Sequence, residues 1–493
     1  MKKSKERDEE KEILSLIKKK KHFESINKSV IVTCALALAT AFIIGVATEL
    51  FDFDIYNKET RVGFLDSVKD IFLTTTITTA VLISILLFMK SIRIDLCDRK
   101  VTLLLFLIVI IGYVVSLIFN SFLNLFIVPF ALSGLLIAFL IDHRVGIMAN
   151  FLLNIAFLLN VMLETQHNDI TLSISIVITS MLACVIIIIA SQRFATTRIR
   201  TIAISAFAGM VSFLVILSIA TLTSKYNIEN SIGYAFYSFL SIIISVALSM
   251  LVIPPLEYAF RVCTIFHISE ITSLDAPLLK QLASDAPGTF SHSLMVGNLA
   301  ELCAIAIGES GQLAKAAGYY HDIGKLQQPD YFIENQHGYN PHDNLVLEVS
   351  ISIIRKHTES GYIILKDAKL PDIIANVARE HHGTTSLNYF LYQAKRLTED
   401  NVDHQNFSYT SPKPSTKIAA IVMIVDTVEA AARAMFDTIS TEKEYRNLIN
   451  KLISEKAQSN QFSDCDITFK DLKLIEDTLV PHVTGLQHKR IKY

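Results

Sequence analysis

The feature that most limits what this chain can fold into is a series of long tracts without a charged side chain: residues 29–48, 71–89, 101–141, 145–163, 170–192, 201–224 and 231–256. A helix needs about 20 apolar residues to cross the hydrocarbon layer of a membrane, so each tract is long enough for one crossing. The 101–141 tract is long enough for two, and Asn120, Ser121, Asn124 and Pro129 supply a polar break near its middle. Eight spans are expected. Residues 29–256 hold only 24 of the 92 charged side chains, so a membrane region is joined to a water-soluble one. The expected division is a basic N-terminal segment (1–28), a transmembrane region (29–256), an amphipathic connector (257–285) and a soluble domain (286–493), with Pro254 and Pro255 ending the last span.

Lys and Arg collect in loops on the cytoplasmic side, which tests the count. With the basic N-terminus inside, the first outer loop, 49–70, carries six acidic and three basic residues. Lys90, Arg93, Arg99 and Lys100 follow on the inner side, then Arg144, then Arg193, Arg198 and Arg200. The 120 region and 164–169 carry no Lys or Arg. Eight crossings return the chain to the cytoplasm, so both termini and the soluble domain are expected there. The run Lys18 to Lys21 reads as a topology determinant, and a sharper reading adds attraction to anionic membrane lipids.

A net charge of −2 argues against a binder of polymeric nucleic acid. The six cysteines are scattered without a CxxC pair, which disfavours a disulfide framework or a thiolate zinc site. The charged start lacks a small-residue cleavage pattern, so the first apolar run reads as a retained anchor.

From about residue 286 the pattern is helical. HSLMVGNLAELCAIAIG, KLPDIIANVAREHH and TKIAAIVMIVDTVEAAARAMF all repeat apolar residues at spacings of three and four, and strand-like alternation is scarce. An all-α domain is expected, with 396–416 as a surface loop.

Seven of the fourteen histidines lie between His292 and His382. Imidazole and carboxylate are the usual N and O ligands of Fe, Mn or Zn, and the candidates are His292, His321, Asp322, His357, His381, His382 and Asp426. Each alone is weak; His-Asp recurs at His342-Asp343, for example. Asp426 raises the odds because it interrupts the apolar run IAAIVMIVDTV, where a buried carboxylate needs a cation or an ion pair.

YYHDIGK, with an upstream His-Ser and a downstream Asp, resembles the HD-domain metal-dependent phosphohydrolases. The longer strings FSHSLMVGNLAE, YYHDIGKLQQPDYFIENQHGYNPHD, HHGTTSLNYF and DTVEAAAR resemble the seven-transmembrane HD family of PgpH-type cyclic di-AMP phosphodiesterases of bacteria. The resemblance is close over roughly 270–490 and loose over the spans, and the GYP signature of the cyclic di-GMP enzymes is not found. It implies a multispan transmembrane region followed by a cytosolic all-α HD domain in the bacterial inner membrane, while the count of about eight helical spans rests on the tracts and loop charges. It also implies that His292, His321, Asp322 and Asp426 bind a first metal and that His357, His381 and His382 complete a second site, with Asp322 bridging. Two divalent ions, Mn or Fe, would then activate a water that opens cyclic di-AMP to linear pApA.

Lys325 is expected either to contact a phosphate oxygen or to be a solvated lysine. Asn335, Gln336, Asn340 and His342 are read as loop hydrogen bonders or a pocket rim, and Tyr389 and Phe390 as core or as an adenine platform. The alternatives to cyclic di-AMP hydrolysis are an HD hydrolase for cyclic di-GMP or a guanosine polyphosphate, and a non-catalytic nucleotide-sensing receptor. The expected partners are a cyclic dinucleotide and membrane lipids, with the oligomeric state, including a homo-oligomer, left open. Typical members of the family carry a large extracellular domain after the first span, where this chain has only residues 49–70.

Overall fold

In a computed structural model, residues 32–50, 64–92, 99–164, 170–194, 197–222, 227–336, 338–397, 403–436, 438–439 and 441–485 are described. The segment 1–28 with Lys18 to Lys21, most of the loop 49–70, and parts of the loop 396–416 lie outside them. The chain divides into two compact units, Met1–Thr264 and Ile265–Tyr493, and no strand occurs among the described residues.

The first unit is built from α1 (Val32–Leu50), α2 (Phe64–Ile92), α3 (Arg99–Phe122), α4 (Leu132–Leu140), α5 (His143–Glu164), α6 (Ile170–Phe194), α7 (Arg198–Leu222) and α8 (Ile228–Phe260). Seven of these are long and apolar enough to cross a membrane, and α4 is not. Its nine residues rise only about 14 Å against a hydrocarbon layer of about 30 Å. The second half of the 101–141 tract is thus a shorter apolar stretch, Leu125–Leu140.

The break before α4 falls where the polar residues lie. Asn124 accepts a hydrogen bond from the Phe126 amide at 3.0 Å and starts a 3-10 turn, Leu125–Ile127. The irregular backbone that follows exposes carbonyls in an apolar bundle, where each unpaired group costs several kcal/mol, roughly. Neighbours supply the donors: Ser241 of α8 to Val128 O at 2.5 Å, Asn154 of α5 to Phe130 O at 2.8 Å, and the Cys184 thiol of α6 to Ala131 O at 3.7 Å.

The last span does not end at the prolines. Helix α8 continues through Pro254 and Pro255 to Phe260 and closes with Arg261 in the left-handed region. Pro254 has no N–H to give to the carbonyl four residues earlier. That carbonyl, Met250 O, accepts instead from Arg198 Nη1 of α7 at 3.4 Å. Glu257, buried one turn on, pairs with Arg198 at 3.8 Å and accepts from the Thr264 hydroxyl.

The second unit comprises α9 (Ile265–Ile271), α10 (Pro277–Asp285), α11 (Pro287–Ala306), α12 (Gly311–Tyr320), α13 (Leu347–Asp367), α14 (Asp372–Glu380), α15 (Asn388–Leu397), α16 (Lys417–Ala434), α17 (Glu442–Gln458) and α18 (Phe469–Gly485), with 3-10 turns between α12 and α13. Helices α11, α14 and α16 fall where the apolar spacing placed them. Helix α16 starts at Thr416, whose hydroxyl caps the Ala419 amide. Its first half, residues 418–425, is apolar and buried on all sides, as suits the central helix of the unit. Val422 and Val425 of α16 pack with Val296 and Ala300 of α11, Ile449 of α17 and Leu479 of α18. Asp426 and Glu429 are the buried acids on this helix.

Candidate metal centre

Six elements converge on one point behind that core. His292 comes from α11, His321 from the C-cap of α12, Asp322 and Lys325 from the 3-10 turn that follows, His357 from α13, His381 and His382 from the end of α14, and Asp426 from α16. The close approach of that turn to α13 depends on Gly324. A Cβ there would lie 1.9 Å from the His357 carbonyl oxygen. Gly383, at φ +52°, turns the chain straight after His382.

The imidazoles are oriented by the helices that carry them. His321, His357 and His381 each donate Nδ1–H to the carbonyl three residues earlier: Gly318 at 2.8 Å, Ile354 at 2.6 Å and Ala378 at 2.9 Å. His321 and His381 stand at helix C-termini, where such carbonyls lack helical partners. Because a carbonyl can only accept, the tautomer is fixed and each Nε2 is free to face the centre. His292 is held by a side chain instead. Its Nδ1–H donates to Glu429 Oε2 at 2.6 Å, with Nε2 3.0 Å from Asp426 Oδ1. The His382 ring stacks on Tyr409, with centroids 4.2 Å apart.

Asp322 sits in the middle, fully buried. Its Oδ2 lies 3.3 Å from His321 Nε2 and 3.7 Å from His292 Nε2, and its Oδ1 lies 3.4 Å from His357 Nε2 and 3.6 Å from His381 Nε2. Two donor groups therefore share this residue: His292, His321 and Asp322 on one side, and Asp322, His357, His381 and His382 on the other. Asp426 joins His321 and His381 in a third overlapping group. His321 Nε2 and Asp322 Oδ1 are buried without a hydrogen-bond partner. Orphaned lone pairs facing one another across a buried N/O set fit a divalent cation.

The electrostatics agree. Burial raises the pKa of Asp322, but Lys325 and His321 outweigh it and hold the carboxyl well below its usual range. Asp426 is likewise kept ionised against burial by its hydrogen bond with His292 and by the His321 ring 3.8 Å away. Burial lowers the His357 pKa to about 3 and depresses that of His382, so both rings are neutral, the state in which imidazole binds a metal. His321 goes the other way. Burial lowers it, yet Asp322 and Asp426 hold it up at about 10. The two buried carboxylates call for positive charge, which a protonated His321 or a cation can supply.

Lys325 is part of the site without facing outward. Its Nζ lies 2.8 Å from Asp322 Oδ2 and 2.7 Å from Glu334 Oε1, over the Phe332 ring. Asn335 is used up in loop structure, accepting from the Gly288 and Thr289 amides and donating to the Thr289 hydroxyl and Pro329 O. The Gln336 side chain donates to Asn340. His342 bonds Tyr331 O and packs on buried Phe390, while Tyr389 is exposed. The sequence reading did not single out Glu429, Glu334 or Tyr409. Glu429 carried a signal, since it lies three residues after Asp426 on the same helix face.

Residues 69–264 match the family described as 7TM receptor with intracellular HD hydrolase, and residues 289–431 match the HD domain. The chain is 36% identical over 375 residues to the cyclic-di-AMP phosphodiesterase PgpH of Listeria monocytogenes, covering 75% of this chain and 50% of that protein. It is 33% identical to PgpH of Bacillus subtilis, covering 75% and 51%. The chain thus spans about half the length of the curated relatives it matches. A crystal structure of the L. monocytogenes PgpH HD domain in complex with cyclic-di-AMP is 45% identical, covering 44% of this chain and 100% of that one, with a TM-score of 0.41.

Proposed function

We propose that this chain, which belongs to the 7TM receptors with intracellular HD hydrolase, is a membrane-held, metal-dependent phosphodiesterase that opens cyclic di-AMP to pApA. The observation that carries this reading is the placement of Asp322, whose two oxygens face two different histidine groups. One carboxylate shared in this way suits a pair of divalent ions. His292, His321, Asp322 and Asp426 would hold one ion, and Asp322, His357, His381 and His382 the other, with Mn or Fe suited to these N/O ligands. Bound there, the ions would neutralise phosphate oxygens and provide a nucleophilic water at neutral pH.

The chain's own residues position these groups. Backbone carbonyls fix His321, His357 and His381, and Glu429 fixes His292. Lys325, engaged by two carboxylates, acts by holding Asp322 in place rather than by reaching for substrate. In the reaction the oxygen of water bonds to phosphorus, the bond to the ribose 3′ oxygen breaks, and that oxygen leaves with a proton. The choice of adenine rests on the two relatives named as cyclic-di-AMP phosphodiesterases and on the sequence identity to the HD domain crystallised with that nucleotide. The alternation of basic loops supports a cytoplasmic HD unit joined to a multi-pass region in the cell membrane.

The test is product analysis with the full-length protein in detergent, supplied with Mn or Fe and given cyclic di-AMP or cyclic di-GMP. The expected results are pApA and close to two metal ions per chain, with Asp322→Ala inactive yet retained in the membrane fraction. Cleavage of cyclic di-GMP alone would overturn the substrate assignment. A single metal equivalent in fully active protein would overturn the paired site.

A further inference from the structure

We propose a second ligand site in the HD unit, a cavity on the outer face of α13 that binds the phosphate of a small phosphorylated molecule. The cavity, of about 340 Å³, is lined by Ser352, Arg355, Lys356, Arg379, Thr410 and Ser411, and also by the carboxylates of Glu348 and Glu359. Residues 348, 352, 355 and 359 recur at spacings of three and four and so share one helix face. His357 is two positions from Arg355, a turn of about 200°, and points to the other side of α13. The cavity and the metal centre thus lie on opposite faces of one helix.

The charges in the cavity are incompletely matched. Arg379 is paired with Glu359 at 2.8 Å and lies over the Tyr362 ring. Arg355 has no carboxylate partner among the described residues. Its Nη2 donates to the carbonyls of Gln405 and Asn406, at 3.3 and 2.9 Å, and its Nε is buried with no partner. Lys356 next to it forms no ion pair among the described residues and is exposed. Three cations thus face two carboxylates, one of them already engaged. A guanidinium N–H left undonated in a polar cavity carries a desolvation cost that an anionic acceptor would remove. The hydroxyls of Ser352, Thr410 and Ser411 add donors, and Ser411 is tied to Thr358 of α13 at 3.0 Å. The volume lies in the range of small-molecule sites and exceeds what a bare phosphate fills.

The site has a route to the metal centre. Thr410 and Ser411 directly follow Tyr409, the residue stacked on His382. Arg355 also holds the carbonyls of Gln405 and Asn406, at the start of the same strand of chain. A phosphate bound between Arg355 and Ser411 would therefore bear on the segment that presses Tyr409 against His382, which makes the site regulatory.

The test is calorimetric titration of the full-length, metal-depleted protein in detergent with pyrophosphate, in the presence of a chelator. One binding event per chain is expected, weakened at least about tenfold by Lys356→Glu and by Arg355→Gln and kept in Asp322→Ala. Arg355→Gln also releases the carbonyls of Gln405 and Asn406, so exposed Lys356→Glu is the variant that leaves the fold alone. No binding by the wild type, or binding that Lys356→Glu and Arg355→Gln both leave unchanged, overturns the proposal. Binding lost in Asp322→Ala but kept in Lys356→Glu does so too, because it places the anion at the metal centre.

Discussion

Glu429 offers the sharpest test of how the centre is assembled, because it touches one ligand candidate and nothing else in the site. Its two oxygens have separate duties: Oε2 accepts Nδ1–H of His292 at 2.6 Å, and Oε1 accepts from Arg433. Glutamine has a single acceptor oxygen, so Glu429→Gln can serve only one donor. Arg433 is half exposed, with 51% of its side chain accessible, and can turn to water, whereas His292 cannot. The amide oxygen should therefore stay with His292, and the variant loses charge rather than the bond. A hydrogen bond to a charged group contributes about 1.5–3 kcal/mol and a neutral one about 1. The difference, about 0.5–2 kcal/mol, corresponds to roughly a 2- to 30-fold loss of metal affinity at 1.36 kcal/mol per factor of ten. Glu429→Ala removes the bond entirely and should cost about 10–100-fold. Arg433→Ala breaks only an exposed pair and should change little. The assay is chelator competition for Mn, paired with hydrolysis as a function of Mn concentration; excess metal should restore most of the Glu429→Gln rate. A folded Glu429→Ala protein with wild-type metal affinity would refute the reasoning.

Three further outcomes follow. Gly324→Ala places a Cβ 1.9 Å from His357 O and 2.6 Å from the Gly361 amide, both backbone atoms. The turn must retreat by about 1–2 Å, which typically costs about 1–3 kcal/mol when overpacking is the cause and can cost roughly 100-fold in rate. Metal-saturated turnover at the wild-type level would refute the claim that this contact sets Asp322. Burial raises the Glu334 pKa, but Lys325 outweighs it and leaves the folded value below 4.5. Its contribution to stability is thus complete above about pH 4.5 and is lost as pH falls through the folded value. Thermal unfolding should show Glu334→Gln less stable than wild type at pH 7, with a gap that narrows below pH 4.5; a constant gap would contradict this. Tags at both termini should be protected together in sealed right-side-out vesicles, and digestion of only one would exclude an even number of crossings.

The cluster was legible because its members are chemically conspicuous. Histidine is rare, and a carboxylate such as Asp426 inside IAAIVMIVDTV has no reason to be buried unless something positive meets it. What the sequence could not convey was orientation. The Nδ1 bonds of His321 and His381 exist because α12 and α14 end at those residues, and helix ends are the least certain part of a sequence reading. Glu429 was within reach from its spacing to Asp426, but its partner lies 137 positions away on α11. Lys325 was readable as a cation near the site. That Asp322 and Glu334 both engage it depends on how the 3-10 turns fold back. The prolines of α8 were misread for a similar reason, since the donor that rescues Met250 O comes from Arg198, 52 residues earlier.

The short helix α4 bears on the orientation of the whole protein. If the basic N-terminal segment and the HD unit share one side of the membrane, the crossings between them must be even in number, and the long helices supply seven. The stretch Leu125–Leu140 is too short to cross as a free-standing helix, at about 24 Å if fully helical. It does not stand free. Leu132, Leu135, Leu136, Ile137 and Leu140 are buried. The carbonyls of Val128, Phe130 and Ala131 take donors from α8, α5 and α6. Irregular backbone is tolerated at membrane depth when protein surrounds it and satisfies its polar groups. The residues between Ile127 and Leu132, being non-helical, also advance farther per residue than a helix does, which recovers part of the missing length. A crossing assembled this way depends on its neighbours. On that condition Ser241, Asn154 and Cys184 would be what lets Leu125–Leu140 serve as an eighth segment and complete the alternation of the charged loops.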